Sequence, residues 1–232
     1  QMSERYNVAG QLVLPKYDKE NSSIEMKYAD EGTQAESGKV AFASIELNEH
    51  LGRCLAKVSK SLVNNSKFDI VAFVIEKMAQ AIALFIEKEL LKGTDEKIEG
   101  LRGIAEDMKV TATAEITADN LIDLQDKVVD NFQPNSVFIM SRATRNEIRK
   151  LKDADKNFVL NRDLTAKWGY TLLGKDVYTS DAIGSDIVYG DLTGLAVKVS
   201  EDVNMQVLHE KYAEEHMTGI LAFLEFDADV QD

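Results

Sequence analysis

The length, composition and charge of the chain exclude several classes of protein. With 232 residues, 44% of them hydrophobic and 29% charged, the chain can form one large domain or two smaller ones and is unlike a disordered protein. A formal charge of -13 repels phosphate, which argues against sequence-wide binding of nucleic acid or of an anionic membrane. The single cysteine, Cys54, excludes an intrachain disulfide and a cysteine-based zinc cluster.

Residues 1–58 have the pattern of β-structure. Apolar and polar residues alternate around Ile24, Met26 and Tyr28, and the alternation resumes over 40–47. The intervening stretch ADEGTQAESGK is rich in Gly and Glu and too long for a tight turn, so we predict a hairpin arm whose tip stands off the body. Because a long ribbon with few apolar residues is not stable alone in water, we expect it to pack against something else.

A single long helix is predicted over 66–94, SKFDIVAFVIEKMAQAIALFIEKELLKGT. Ser66 and Asp69 approximate a capping box, and Gly93 is a natural left-handed stop. A narrow polar stripe carries Asp69, Glu76, Gln80 and Glu87. The side opposite this stripe is a wide apolar arc, made of Val71, Val74, Ile75, Met78, Ile82, Phe85 and Ile86.

Three further apolar residues of this helix, Phe73, Leu84 and Leu91, lie among its charges rather than in the arc. A membrane does not explain them, because Glu76 and Lys77 interrupt the apolar run near its middle. The arc is most simply core, whereas the second row indicates a second contact surface. Packing of both rows within one chain is the alternative that the sequence leaves open.

The rest of the chain mixes helices and strands, which predicts the α+β class. A helix is expected over 117–132 with Thr117 as its cap, then a strand over 136–140 and a helix that begins at Ser141 and carries the basic cluster RATRNEIRKLK. Successive strands are predicted in TLLGKDVYTSD, DIVYGD and LAVKVS, and two longer ones in VNMQVLHEKY and MTGILAFLEFDADV.

No residue pattern predicts catalysis or a bound metal or cofactor. The stretch 153–164 begins like a calcium loop but lacks the Gly and the final Glu that such a loop needs. His50 and Cys54 could share a helix face, but two ligands do not make a metal site. Neither His209 nor His216 has a catalytic motif around it. We therefore expect no catalytic, cofactor-binding or metal-binding residues, and no enzyme.

Three segments of the chain carry a family resemblance. They are 56–104, with a strand, the long helix, a Gly-rich turn and GLRGI; 120–160, with a helix, a strand and an LKD helix; and 172–197, with LLGKDV and YGDLTG. In this order, and over nearly the whole chain, they resemble the major capsid protein of tailed bacteriophages, which has the Hong Kong 97-type fold.

The resemblance implies a shell subunit with two domains. A peripheral domain would cover 1–95, including an extended loop at about 18–46 and the spine helix at 69–92. An axial domain would cover 96–195, and returning strands over 196–232 would complete both domains. Because the chain starts at Gln1 without Met, it would be an N-terminally truncated or processed member.

The resemblance also implies a function and its partners. Copies would self-assemble into pentamers and hexamers of an icosahedral bacteriophage or prophage capsid that encloses DNA, assembled in the bacterial cytoplasm. Scaffolding, portal or decoration proteins would be further partners, with no membrane and no sequence-specific binding of nucleic acid. The candidate subunit-interface residues are Phe73, Leu84, Leu91, Tyr28 and Phe42.

Some members of this family join subunits by an isopeptide bond between a loop Lys and an Asn, with a Glu assisting. The Asn and Glu positions correspond here to His216 and Phe223, so we predict no covalent cross-linking. Two other functions remain open. One is an encapsulin-type bacterial compartment that encloses a cargo enzyme, and the other is a soluble α+β enzyme or binding module that uses His209 or His216.

Overall fold

The computed structural model describes residues 3–17, 42–65, 69–111, 116–151, 160–162 and 170–231. Most of the predicted hairpin arm, including Tyr28, and most of the calcium-like stretch lie outside the described residues. The described strands are β1 (Glu4–Tyr6), β2 (Leu12–Tyr17), β3 (Phe42–Leu47), β4 (His50–Ser59), β5 (Val137–Met140), β6 (Leu160–Arg162), β7 (Tyr170–Leu172), β8 (Lys175–Thr179), β9 (Ile187–Gly190), β10 (Leu195–Leu208) and β11 (Met217–Val230). The α-helices are α1 (Lys60–Asn65), α2 (Ile70–Lys92), α3 (Ala118–Asp126) and α4 (Arg142–Ile148).

These strands form three sheets, and the α+β class is confirmed. The first has the order β1-β10-β11-β4, with β11 antiparallel to both of its neighbours and β1 parallel to β10. The second is the antiparallel pair β2-β3, and the third has the order β6-β7-β8-β5-β9.

The long helix α2 packs on the four-stranded sheet through its apolar arc. Met78 and Ile82 are buried, and they share a cluster with alternate residues of β11, from Ile220 to Phe226. These β11 residues point to one face of the sheet because side chains alternate along a strand. Full burial of a large apolar side chain contributes about 1.5–3 kcal/mol, so this face holds the first sheet and α2 together.

Local signals set the ends of α2. Asp69 is the N-cap and accepts a 3.0 Å hydrogen bond from the Ala72 amide, so the helix begins at Ile70 rather than within the predicted Ser66 capping box. Gly93 ends the helix at the predicted position, and its N–H donates to the Glu89 carbonyl. Its φ of 66° is positive, but its ψ of 173° lies outside the left-handed helical region that was predicted.

Two other predicted elements differ from the structure. The helix expected over 117–132 has the predicted Thr117 cap but ends at Asp126, because the Gln133 amide binds the carbonyls of Gln125 and Val128 and turns the chain. The two strands expected in LAVKVS and VNMQVLHEKY are one strand, β10, whose register shifts near Glu201 absorb the polar residues between them. These bulges let pairing with β11 continue.

The five-stranded sheet has its own core. Leu121 of α3 and Ile148 of α4 pack there with Phe138 and Met140 of β5. The helix predicted to begin at Ser141 does so, since the Ser141 hydroxyl accepts from the Thr144 amide as an N-cap.

Replacing Gly93 by alanine should destabilise the fold more than the same change at Gly174. Both glycines have positive φ, 66° and 76°, which costs an alanine about 1–2 kcal/mol. A Cβ at Gly93 would also lie 2.7 Å from the Ile98 carbonyl oxygen, whereas one at Gly174 would meet nothing within 4 Å. Urea unfolding of Gly93→Ala and Gly174→Ala measures the difference. Equal losses of stability would contradict the steric argument.

Candidate subunit interface

The outer side of α2 carries the three predicted interface residues of this helix in one row. Phe73, Leu84 and Leu91 are separated by 11 and 7 residues, which places them within about 20° of each other around the axis. Phe73 is 43% exposed and Leu84 is 63% exposed, while Leu91 is half-buried. The chain's own sheet covers the opposite side of α2, so it leaves much of this row accessible.

Polar side chains of the same row bind one another. Lys77 Nζ donates to Gln80 Oε1 at 3.1 Å, and Gln80 Nε2 donates to Glu76 Oε1 at 3.3 Å. Lys77 Nζ also lies 5.5 Å from the centre of the Phe73 ring. These contacts are typical of exposed helix faces, and they place ordered polar groups between Phe73 and Leu84. A mixture of apolar anchors and polar neighbours is characteristic of protein interfaces.

Phe42 lies on a different surface. The antiparallel pair β2-β3 is called the ribbon below. Phe42 is 69% exposed at the start of β3, where it pairs with Tyr17 of β2 at one end of this ribbon. The other end of this ribbon packs on the body through Leu14, Ile45 and Leu47, which form a buried cluster with Ala196. The structure therefore brings Phe73 and Leu84 onto one helix face and places Phe42 on the ribbon.

A buried lysine holds the turn between β3 and β4. Lys198 is fully buried, and its Nζ donates to the Asn48 carbonyl at 3.1 Å and lies 3.8 Å from Glu49 Oε1. Glu49 also accepts a 2.6 Å hydrogen bond from the Gly10 amide. This bond, together with the charge of Lys198, lowers the pKa of Glu49. A buried charge needs several such partners to offset its lost hydration.

A buried aspartate holds the same turn from the next strand. Asp227 lies opposite Lys198 in the β10-β11 pair and accepts from the Asn48 amide at 2.7 Å and the Ala228 amide at 2.8 Å. His50 Nε2 is 3.9 Å from its carboxylate. Burial raises the pKa of Asp227, although these hydrogen bonds oppose the shift. Lys198 and Asp227 together fix the base of the ribbon relative to the core sheet.

Sequence reasoning did not identify Lys198 and Asp227. A signal was present at Lys198, which stands within the apolar run LAVKV, whereas Asp227 alternates with Phe226 and Ala228 in EFDADV and has the pattern of an exposed polar residue. A charge at either position is buried only with partners, and those partners come from a turn about 150–180 residues away in the chain, too distant for pattern reasoning to find.

The histidines and the cysteine considered in the sequence do not come together in the described residues. His50 and Cys54 lie on β4 rather than on a helix, so their backbones are about 13 Å apart and cannot share a metal. His209 and His216 are exposed in the connection between β10 and β11. Across the described residues, no group of three or more His, Cys, Asp or Glu side chains could hold a metal ion.

A shallow pocket lies between the C-terminal half of α2 and β4, with Phe85, Glu89 and Thr94 in its lining. Its volume is about 120 Å³, below the 300–1,000 Å³ typical of small-molecule sites. Its buried carboxylate, Glu89, accepts a 2.9 Å hydrogen bond from the Thr94 hydroxyl.

None of the described helices combines the length and apolar character needed to cross a membrane.

Comparison with known proteins identifies the family. A family model for the phage capsid family matches residues 6–232. The chain belongs to the phage capsid family. No curated protein sequence matches the chain.

Solved structures show that this phage capsid family chain has the capsid fold. It is similar to the capsid of an empty GTA particle computed with C5 symmetry, with TM-score 0.78, 21% identity, and coverage of 100% of this chain and 85% of that one. It is also similar to structures from Microbacterium phage Oxtober96 (TM-score 0.74, 18% identity, 99% and 83% coverage) and Mycobacterium phage Adephagia (TM-score 0.72, 16% identity, 99% and 82% coverage). The Hong Kong 97-type fold predicted from the sequence is confirmed.

Replacing Asp227 of this capsid protein by asparagine should change how its stability depends on pH. Because the pKa of Asp227 is raised in the folded state, its contribution to stability is full below its ordinary pKa and is lost as the pH rises through the raised value. The free energy of unfolding of Asp227→Asn, relative to the unmodified chain, should therefore increase as the pH rises from the ordinary pKa of an aspartate through the raised pKa of Asp227.

Urea unfolding at several pH values measures this change. Asp107→Asn, a replacement of an exposed aspartate, is the matched control and should follow the unmodified chain. Parallel pH profiles for Asp227→Asn and the unmodified chain would contradict the prediction.

Proposed function

We propose that this phage capsid family member is the structural major capsid subunit of a tailed bacteriophage or prophage. Copies assemble in the bacterial cytoplasm into pentamers and hexamers of an icosahedral shell that encloses DNA, and the mature chain resides in the virion. The observation that carries the proposal is the exposed apolar row on the outer side of α2. An apolar surface that stays partly exposed beside the described residues, most of all at Leu84, is typical of a site of contact with another protein.

The division into domains follows the two larger buried clusters. One surrounds α2 and the four-stranded sheet, and supports a peripheral domain of 1–95 with the returning strands 196–232, although it also includes Ile98, Leu101 and Leu195 just beyond these bounds. The other contains only residues between Ile116 and Tyr189, and supports 96–195 as the axial domain. The extended loop at about 18–46 and the spine helix at 69–92 then both belong to the peripheral domain.

The shell is stabilised by many moderate contacts rather than by one strong contact. A standard interface buries about 1,600 Å², and a subunit in a closed ring makes such a contact on each side. Once a subunit has bound one neighbour, its further contacts form at high effective concentration. The net charge of -13 suits a container whose wall does not hold the packaged DNA tightly.

Aspartate at position 73 or 84 should block assembly without unfolding the subunit. Phe73→Asp and Leu84→Asp place a charge where an apolar contact with a neighbour is proposed, at side chains that are 43% and 63% exposed in the single chain. The stability of the subunit should fall by less than about 1 kcal/mol, mainly through helix propensity. Sedimentation and electron microscopy measure assembly, and circular dichroism measures folding.

Ala79→Asp provides the control, since Ala79 is exposed on α2 but lies away from the outer row. This variant should assemble normally. Unfolding of both Phe73→Asp and Leu84→Asp would show that these residues belong to the core of the subunit. Assembled particles that enclose a protein cargo rather than DNA would favour the encapsulin function.

The shell should contain no covalent bonds between subunits. His216 and Phe223 stand where the resemblance places the Asn and Glu of cross-linking members, and neither supplies the side-chain amide or the carboxylate that the reaction needs. His216 lies in the turn before β11, and Phe223 pairs with Arg53 across β11 and β4. Mature particles boiled in denaturant should run as a single monomer band on a gel, whereas a ladder of covalent oligomers would overturn the prediction.

A further inference from the structure

The helices α3 and α4 lie on one face of the five-stranded sheet but towards its opposite edges. Leu121 of α3 and Ile148 of α4 both pack against Phe138 and Met140, which point to the same side of β5. α3 contacts β9, the strand at one edge. α4 reaches across to Tyr170 on β7, near the other edge.

The surface that α3 and the turn after it form at the β9 edge of the sheet is apolar and acidic. Ile122, Val129 and Phe132 are 51%, 58% and 41% exposed. Four exposed aspartates accompany them against a single lysine, Lys127: they are Asp119, Asp123, Asp126 and Asp130. These three apolar residues and four aspartates are called the α3 surface below.

The turn that carries part of the α3 surface is held rigidly. The Gln133 side chain donates to the carbonyls of Gln125 at 2.8 Å and Val128 at 2.7 Å, and it accepts from the Tyr189 hydroxyl. The Gln133 carbonyl in turn accepts from Lys175 on β8. A surface that is ordered before binding loses less conformational entropy when a partner docks.

The α4 edge is basic. Arg142, Arg145, Arg149 and Lys150 lie there and are called the α4 surface below. Two described acidic residues lie beside them: Glu147 on α4, and Asp181, whose carboxylate accepts from the Arg142 amide at 3.2 Å. The Tyr170 ring orders two of them, with Arg145 Cζ at 4.7 Å and Arg149 Cζ at 5.4 Å from its centre. A concave region of about 380 Å³ adjoins this surface, and Asn146, Arg149 and Lys150 are its described lining residues.

Several of these charges are unfavourable within a single chain. Asp126 is in the last turn of α3, at the negative end of the helix dipole, and Arg142 is in the first turn of α4, at the positive end. Each charge is therefore repelled by the dipole of its own helix. Asp119 and Asp123 are four residues apart on one helix and repel each other. Their placement is explained if the charges meet opposite charges on another copy.

We propose that the α3 surface of one copy docks on the α4 surface of the next copy within a capsid ring. The inference rests on the proposed function and specifies which surfaces join the copies. The two surfaces are complementary in charge, and they lie at opposite edges, so the contact is head-to-tail and can close into rings. The charges select and orient the partner, while Ile122, Val129 and Phe132 supply the apolar burial.

Charge reversal in the full-length protein tests the contact. Asp123→Lys with Asp126→Lys, and separately Arg149→Glu with Lys150→Glu, should each reduce the assembled fraction at least tenfold, since every contact then joins like charges. All four changes in one chain should restore assembly, because every contact again joins opposite charges. Electron microscopy and sedimentation measure rings and shells, and circular dichroism measures folding.

Asp107→Lys with Asp186→Lys makes the same change in net charge as the reversal of Asp123 and Asp126, at exposed sites outside both surfaces, and should assemble normally. Normal assembly of both reversed variants, or no recovery in the fourfold variant when it is folded, would overturn the docking contact and leave the proposed function in place. Absence of rings and shells from the unmodified protein would instead overturn the proposed function and the contact together.

A second measurement does not depend on whether the reversed chains fold. In a Cys54→Ser background, Asp126→Cys combined with Arg149→Cys should give disulfide-linked oligomers up to closed rings under mild oxidation, while either change alone gives at most dimers. Only monomers and dimers from the double variant, under conditions where it assembles, would contradict the contact.

Discussion

The packing of α2 on β11 is the contact on which the rest of the structure depends. A helix can present only one side to a sheet, and α2 uses that side to bury Met78 and Ile82. A helix that is apolar on a second side must therefore expose it or find a second partner. Full burial of one large apolar side chain is worth about 1.5–3 kcal/mol, and the proposed subunit contact would gain a share of that free energy by covering the exposed parts of Phe73 and Leu84.

The base of the ribbon shows a different compromise. Lys198 and Asp227 are buried charges, and an apolar pair of similar volume would often be as stable or more so. Their hydrogen bonds to Asn48, however, have directions that apolar packing lacks. They fix the angle at which β2 and β3 leave the body, and this angle decides what the ribbon can reach. A shell subunit benefits from a fixed angle more than from added stability.

Sequence patterns predicted those helix ends and strand bounds that depend on residues close together in the chain. The stop of α2 at Gly93 and the bounds of β11 agree with the sequence because a positive-φ glycine and strand alternation act locally, whereas the N-cap of α2 is Asp69 rather than the predicted Ser66. Prediction failed where distant residues decide: Gln133 ends α3 early, and pairing with β11 keeps β10 continuous through a polar stretch. The exposure of Phe73 and Leu84 followed from helical periodicity, whereas Tyr28 stays a prediction because it lies outside the described residues.

The charge of the whole chain and the charges of α3 and α4 act over different distances. Copies with a net charge of -13 repel one another at long range, and salt screens that repulsion. A complementary acidic and basic pair attracts only when the two surfaces meet, and salt weakens that attraction as well. Contact between two identical edges would add like charges to the general repulsion, so two-fold pairing of either surface is disfavoured. The arrangement therefore favours a closed ring of copies in one orientation over random association.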